Sequence, residues 1–298
     1  MQASTTMAAP EVPFSRSLGS RQRRALLAHP LWWVGLMIIV ALAVFSFVGP
    51  LFYHVSPIAV HPYISDSPPS AHHLFGTDVL GRDELSRVMW GGQGFMLVGF
   101  VSAICASVLG TGVGLLSGFA GGLTDRLLMR VADIFLGIPQ LVPLLLFDVI
   151  FLPNDFTMIV ILAFTSWPLV SRLVRAEVLT VRARDYVEAA VAAGASRPRI
   201  LRRHVLPNIL STSLVSASGQ LGQTVLILAT ASYLGFGLPP PNPNWASMVA
   251  DSTQYLTGGN WWLFLAPGLA FMFLQVSVYF IADAVREAFN PRALQGAS

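Results

Sequence analysis

The chain contains no lysine; all eighteen of its basic residues are arginine. That absence removes whole chemistries, among them the phosphate-binding lysine of a nucleotide loop, a Schiff-base lysine and a Ser-x-x-Lys nucleophile pair. A GC-rich coding sequence explains the bias without invoking function, and the exclusions hold in either case. Any ATP-driven work in which the chain takes part falls to another chain. Cysteine is nearly absent too. The single Cys105 sits in an apolar run, forms no internal disulfide and no multi-thiolate metal site, and reads as a small buried hydrophobe. Charge is scarce: 11% of the 298 residues are charged and 54% hydrophobic, against roughly 25% charged in soluble domains. One soluble core does not account for this balance.

What the chain has instead is apolar blocks of the length a helix needs to cross about 30 Å of hydrocarbon at 1.5 Å per residue. Six are expected, at 31–52, 95–116, 127–151, 157–174, 208–234 and 261–284, within a domain running from 31 to 298 behind a polar tail, 1–30. The first block is too long for a signal-peptide core and has no small-residue cleavage site. Arginine-rich segments stay cytoplasmic. The tail with Arg16, Arg21, Arg23 and Arg24, the link at Arg126, the segment 175–207 and the end with Arg286 and Arg292 therefore share the cytoplasmic side, with both termini. The outer side receives the loop 53–94, the turn at Asn154-Asp155 and the arginine-free loop from Gly235 to Asn260. The fold class expected is an all-α membrane protein of six spans.

Several spans are ill suited to lipid on every side. Gly110, Gly114, Gly118 and Gly122 recur every fourth residue, a smooth stripe that predicts close approach of another helix. The fifth span carries Ser216, Gln220, Gln223 and Thr224 among other polar residues, and two readings stand: glue between helices, or lining of a wet path. Pro139 and Pro143 predict a kink in the third span. Asp133 is expected to pair with Arg130 three residues earlier.

Between Arg172 and Arg203 eight arginines and three acids form a charged island in this oily chain. Its order is specific. Glu188-Ala189-Ala190 is followed after three residues by Gly194, and nine more lead to a four-residue ending on Leu206-Pro207. Alanines favour a helix of low relief, Gly194 permits a sharp break, Ser196 is placed to cap a second helix, and Pro198 fits that helix's first turn. The alternative is a solvated loop whose arginines only enforce topology.

Glu188, Ala189, Ala190, Gly194, Leu206 and Pro207 resemble the EAA loop of permease subunits in ABC importers, E-A-A-x3-G-x9-I-x-L-P, with His204 in place of isoleucine. The run from Arg203 through His204, Leu206 and Pro207 to Asn208 is similar to the peptide-transporter branch. So is the run His73 to Asp83 with Ser86-Arg87, which resembles the segment after the first span in C-type dipeptide and oligopeptide permeases. Asp133 with Pro139, Trp167 with Arg172 and Arg175, Leu234-Gly235-Phe236-Gly237 with Pro240 and Trp245, and Asp283 with Asn290 and Arg292 extend the resemblance from about Leu31 to Arg292.

The resemblance implies a type I importer half-channel in a bacterial inner membrane, working with a second, homologous permease, two ATPase subunits or one fused ATPase, and an extracytoplasmic binding protein. It implies that Tyr186, Glu188, Ala189, Ala190, Gly194, Ala195, Arg199, Arg203, His204, Leu206 and Pro207 dock on the ATPase. No cofactor is expected on this chain, since ATP and Mg would be held by the ATPase, and no catalytic residue is expected. Peptides are the implied cargo, with nickel complexes or glutathione as alternatives within the family. The outer loop holds His54, His61, His72 and His73, but their irregular spacing argues against a metal site. The proline-rich stretch ending in Asn244-Trp245 is expected to be stiff, with an aromatic tip that meets a docked binding protein, closes an outer gate or simply turns the chain. An ion-driven transporter would call for acids within the spans, where only Asp133 and Asp148 qualify loosely. The arginine island is tethered to the membrane and lacks interleaved aromatics, which argues against nucleic acid.

Overall fold

Apolar periodicity and proline placement together decide where the helices run and where they break. The computed structural model describes residues 17–151, 154–237 and 241–289. In chain order the helices are α1 (Ser17–Ala28), α2 (Pro30–Phe52), α3 (Glu84–Ala120), α4 (Gly122–Leu136), α5 (Leu141–Ile150), α6 (Asp155–Arg182), α7 (Asp185–Ala192), α8 (Arg197–Tyr233), α9 (Trp245–Ser252) and α10 (Trp262–Ala288). Five of them, α2, α3, α6, α8 and α10, are long and apolar enough to cross a membrane. The helices α4 and α5 pass that test only as a pair, and they meet at 87°.

The third expected span is thus a broken helix rather than a kinked one. Proline disfavours the helical region for the residue before it, so the chain leaves α4 at Leu136 ahead of Ile138-Pro139. Pro143 falls in the first turn of α5, where no N–H is required. Two wide turns have a related cause. Val44–Val48 and Leu201–Val205 adopt π geometry, each two residues ahead of a proline, Pro50 and Pro207. A proline offers no N–H to the carbonyl four residues back and its ring crowds that carbonyl, so the turn before it widens. At the second site the Asn208 side-chain amide donates to the His204 carbonyl at 2.5 Å.

Helix ends follow local chemistry. The Asp83 carboxylate accepts from the Ser86 N–H at 2.8 Å and starts α3, while Asn154 and Thr157 form a reciprocal capping box on α6. Both helices run past the expected spans, α3 beginning at Glu84 and α6 ending at Arg182.

At the centre α3 lies along α6, and the glycine stripe is the reason. A Cβ on Gly110 would stand 2.7 Å from the Trp167 carbonyl, one on Gly114 2.5 Å from that of Ser171, and one on Gly118 2.8 Å from Val178. A Cβ on the fourth member, Gly122, meets nothing within 4 Å among the described residues. Gly122 instead begins α4 with a positive φ, so the stripe ends one turn earlier than its spacing predicts. Around this pair pack α8, α10 and the short α5, sharing a core that includes Phe95, Leu144, Leu162, Leu228 and Leu274. On the outside α2 lies on α10, where Gly35 approaches the Ser277 carbonyl and the rest of α2 is largely exposed.

Candidate functional site

The arginine island is moored from below. Val187 on α7 and Ile200 and Val205 at the start of α8 pack against Val170, Val174, Val178 and Val181 of α6 in a second apolar core. This core joins the loop to two long helices with little freedom to swing. The loop turns at Gly194, with φ +77. Its N–H donates to the Val191 carbonyl at 2.9 Å, and the Ala195 N–H donates to Ala190 at 3.0 Å, the two bonds of a Schellman ending. Tyr186 and His204 meet across the loop with ring centroids 6.0 Å apart.

Above the mooring lies an open face. Tyr186, Glu188, Ala189, Gly194, Arg199, Arg203 and Pro207 are exposed, and Ala190, Ala195, His204 and Leu206 are half-buried. Among the described residues nothing lies within 4 Å of where a Gly194 side chain would begin. Two local expectations change. Ser196 occupies the cap position of the second helix without making a capping hydrogen bond. That helix also does not stop before the fifth span: it runs through the π turn into α8, so Pro207 lies inside a continuous rod.

Arginines on α6 tie this end to its neighbours. The Arg175 guanidinium forks onto Asp125 of α4 with two contacts of 2.6 Å, and the Ser117 hydroxyl donates to the same carboxylate. Arg182 donates to the carbonyls of Gly118 and Phe119, at 2.6 and 3.1 Å, which α3 leaves free at its end. Its guanidinium also lies 5.8 Å from the Phe119 ring centroid. Asp133 pairs with Arg172 rather than with Arg130. The partner three residues away on the same helix loses to one across the helix interface, a choice that spacing along one helix does not reveal.

The polar residues of the fifth span divide. Gln220 and Thr224 are buried and bonded to each other, at 3.2 Å, whereas Ser216 is half-buried and Gln223 exposed. They are not brought into one cluster. Gln275 of α10 faces the same helix and donates to the Gly222 carbonyl at 3.3 Å. Sequence reasoning passed over it, although a lone glutamine in an apolar run was the available signal.

At the other end of the bundle, His73, Asp83 and Tyr53 form one network. Asp83 accepts from the Tyr53 hydroxyl at 2.9 Å, lies 2.8 Å from His73 Nδ1 and still caps α3. Burial, then the hydrogen bond to Asp83 and that residue's charge, push the Tyr53 phenol well above its usual value. Among the described residues no group of three histidine, cysteine, aspartate or glutamate side chains could hold a metal. Trp245 is fully buried, not an exposed tip. Its indole N–H donates to the Val88 carbonyl at 2.7 Å and its ring lies on Phe95 and beside Gly92. The turn reading of that loop survives for Trp245. Leu238, Pro239 and Pro240, like Asn290 and Arg292, lie outside the described residues.

Comparison with known proteins agrees with this architecture. The profile of the family described as binding-protein-dependent transport system inner membrane component matches residues 110–294. That of the N-terminal TM domain of oligopeptide transport permease C matches residues 17–69. A putative peptide transport system permease protein of Brucella abortus is 34% identical over 269 residues, 90% of each chain. The probable D,D-dipeptide transport system permease protein of Escherichia coli K12 is 34% identical over 279 residues, 94% of this chain and 93% of that one. The oligopeptide transport system permease protein of Bacillus subtilis is 33% identical over 268 residues, 89% and 87%. Among solved structures, a chain of the inward-facing MetNI methionine ABC transporter shares the fold, with a TM-score of 0.54 at 23% identity over 67% of this chain and 94% of that one. With a family profile spanning more than half of the sequence and relatives matching along nearly all of it, the chain belongs to the inner-membrane components of binding-protein-dependent transport systems.

Proposed function

We propose that the chain is one of two homologous permeases in an ATP-driven importer of peptides, dipeptides or longer. Both termini and the α7 loop face the cytoplasm, and the loop from Tyr186 to Pro207 docks on an ATPase that binds ATP and Mg. An extracytoplasmic binding protein delivers the cargo to the opposite face. Peptides are favoured as cargo because the relatives that match along almost the whole chain are named for peptide, dipeptide and oligopeptide transport.

The observation that carries the coupling role is the loop's combination of an exposed face and a rigid base. Force on Glu188 to Gly194 passes through Val187, Ile200 and Val205 into α6 and α8, not into loop deformation. Gly194 makes the test clean. Because no atom of the described residues stands within 4 Å of its missing Cβ, a Gly194→Trp variant meets at that position chiefly the cost of a positive φ, about 1–2 kcal/mol. Expected is a variant that inserts and folds yet loses ATP-dependent uptake and co-purification of the ATPase. Normal uptake with normal co-purification would sink the docking assignment.

A further inference from the structure

The short helix α1 leads directly into α2, whose side facing away from the bundle is apolar from end to end. Trp33, Met37, Val40, Val44 and Leu51 recur there at helical spacing, and each is half or more exposed. The other side of α2, at Gly35, lies on α10. At 1.5 Å per residue the row from Trp33 to Leu51 is about 27 Å long, close to the roughly 30 Å of a hydrocarbon core. Trp33 therefore stands where hydrocarbon gives way to headgroups, the level at which tryptophan is favoured.

To this level α1 brings charge. Its sequence, SLGSRQRRALLA, holds three arginines and no acid. The Trp33 indole N–H donates to the Leu27 carbonyl at 2.8 Å and so fixes the last turn of α1 beside the end of the row. Leu27 is itself exposed and carries the apolar row onto α1. Arg23 and Arg24 lie one turn before it, both exposed. Among the described residues no acid pairs with either. The acids at the neighbouring end of α10 are engaged elsewhere: Glu287 lies 2.8 Å from His29 Nε2, and Asp283 faces Arg286 at 4.0 Å. The His29–Glu287 contact also fastens the junction of α1 and α2 to α10, so the two guanidinium groups are presented from a fixed base.

Two neighbouring guanidinium groups without an acid, set where a hydrocarbon-facing row ends, match a lipid phosphate. A phosphodiester accepts charge-assisted hydrogen bonds from arginine, and its acyl chain continues along the row. A zwitterionic headgroup brings its own cation, which no acid at this site balances, whereas an anionic headgroup brings none. We propose that α1 and the adjoining side of α2 bind an anionic phospholipid, with its phosphate on Arg23 and Arg24 and a chain along Trp33 to Leu51. The proposed cytoplasmic placement of the N-terminal end decides only which leaflet supplies the lipid, and the identity of the cargo has no part in it.

The test titrates the full complex, delipidated in detergent, with phosphatidylglycerol and with phosphatidylcholine of the same chains, and counts bound lipid by native mass spectrometry. Expected is one more phosphatidylglycerol retained by the wild type than by Arg23→Gln with Arg24→Gln, and no such difference with phosphatidylcholine. Either substitution alone should weaken that site about fivefold. Arg23→Lys with Arg24→Lys should keep most of the binding, and co-purification of the partner subunits should be unchanged throughout. Glycerol phosphate, which has the anion without the chains, should not displace the lipid at equal concentration. Equal phosphatidylglycerol retention after both glutamine substitutions, an equal loss of phosphatidylcholine, or displacement by glycerol phosphate would overturn the lipid site. Loss of a partner subunit from the double glutamine variant, with phosphatidylglycerol retention intact, would assign this face to a protein contact and overturn it as well.

Discussion

At the scale of single residues, the outer network around Asp83 shows how one carboxylate organises several groups. It starts α3 by accepting the Ser86 N–H, holds His73 and accepts from Tyr53. The Tyr53 phenol is raised because burial, the bond to Asp83 and that group's charge all oppose a phenolate. A group whose pKa is higher folded than unfolded contributes stability below its unfolded value, near 10, and loses it as pH rises through the folded value. Of the six tyrosines, Tyr53 is therefore expected to stay un-ionised at pH 11. Absorbance titration near 295 nm should show the same tyrosinate signal at pH 11 in the native protein and in Tyr53→Phe. If Tyr53→Phe lowers the tyrosinate signal at pH 11 by a full residue, the network is not as described. The same residues bear on the histidine cluster, since His73 is engaged by Asp83 and is not a free ligand.

At the scale of elements, the glycine stripe makes a sharp contrast within one helix. A side chain on Gly114 would drive into the Ser171 carbonyl, which is backbone and cannot turn aside, whereas one on Gly112 meets nothing within 4 Å. Gly114→Leu is expected to cost at least about 2 kcal/mol, or to prevent stable expression, as overpacking against rigid neighbours does. Gly112→Leu should be neutral or slightly stabilising, by up to about 1 kcal/mol, from the lost entropy penalty of glycine. Thermal melts of the two variants in the same detergent check this, and equal melting points would contradict the packing. Three of the four glycines were legible from spacing because a period of four follows from helix geometry alone. Gly122 was not, because the helix had ended and period carries no meaning past a break. The third span misled for a related reason. Hydropathy registers the apolar content of residues 127–151 but is blind to direction, and Ile138-Pro139 turns the chain by 87° without changing composition. In the arginine island the exposed motif was legible residue by residue, while its mooring through Val187, Ile200 and Val205 was hidden in ordinary valines and isoleucines. The buried state of Trp245 was hidden as well. A tryptophan after prolines looks the same in sequence whether its pocket is in a partner or, as here, between Val88, Gly92 and Phe95.

At the scale of the whole molecule, the charge distribution and the helices fit a bundle with the arginine island at one end and the Asp83 network at the other. The native Cys105 lies in α3, so a Cys105→Ala background permits single cysteines to be placed at will. Cysteines at Ser56 and at Ala192, both exposed, are expected to react with a membrane-impermeant maleimide from opposite sides of the cell membrane, Ser56→Cys in intact cells and Ala192→Cys only after lysis. Labelling of both in intact cells would overturn the orientation. The excess of arginine over acid on one side argues for the outcome given.

The close contact of α3 with α6 has a mechanical consequence. Helices separated by interlocked long side chains slide by exchanging rotamers, but here Gly110 and Gly114 sit against the backbone carbonyls of Trp167 and Ser171 and the stiff, branched side chains of Val170 and Val174. The forked Arg175–Asp125 contact and the Arg182 clamp on the end of α3 stiffen the same seam. The two helices form a single plate. A displacement imposed on the island would not be absorbed by shear inside the plate. It would appear at the plate's edges, where α2 rests on α10 and where the Gln275 side chain of α10 reaches the Gly222 carbonyl of α8, so the compliance of the chain is concentrated at its rim.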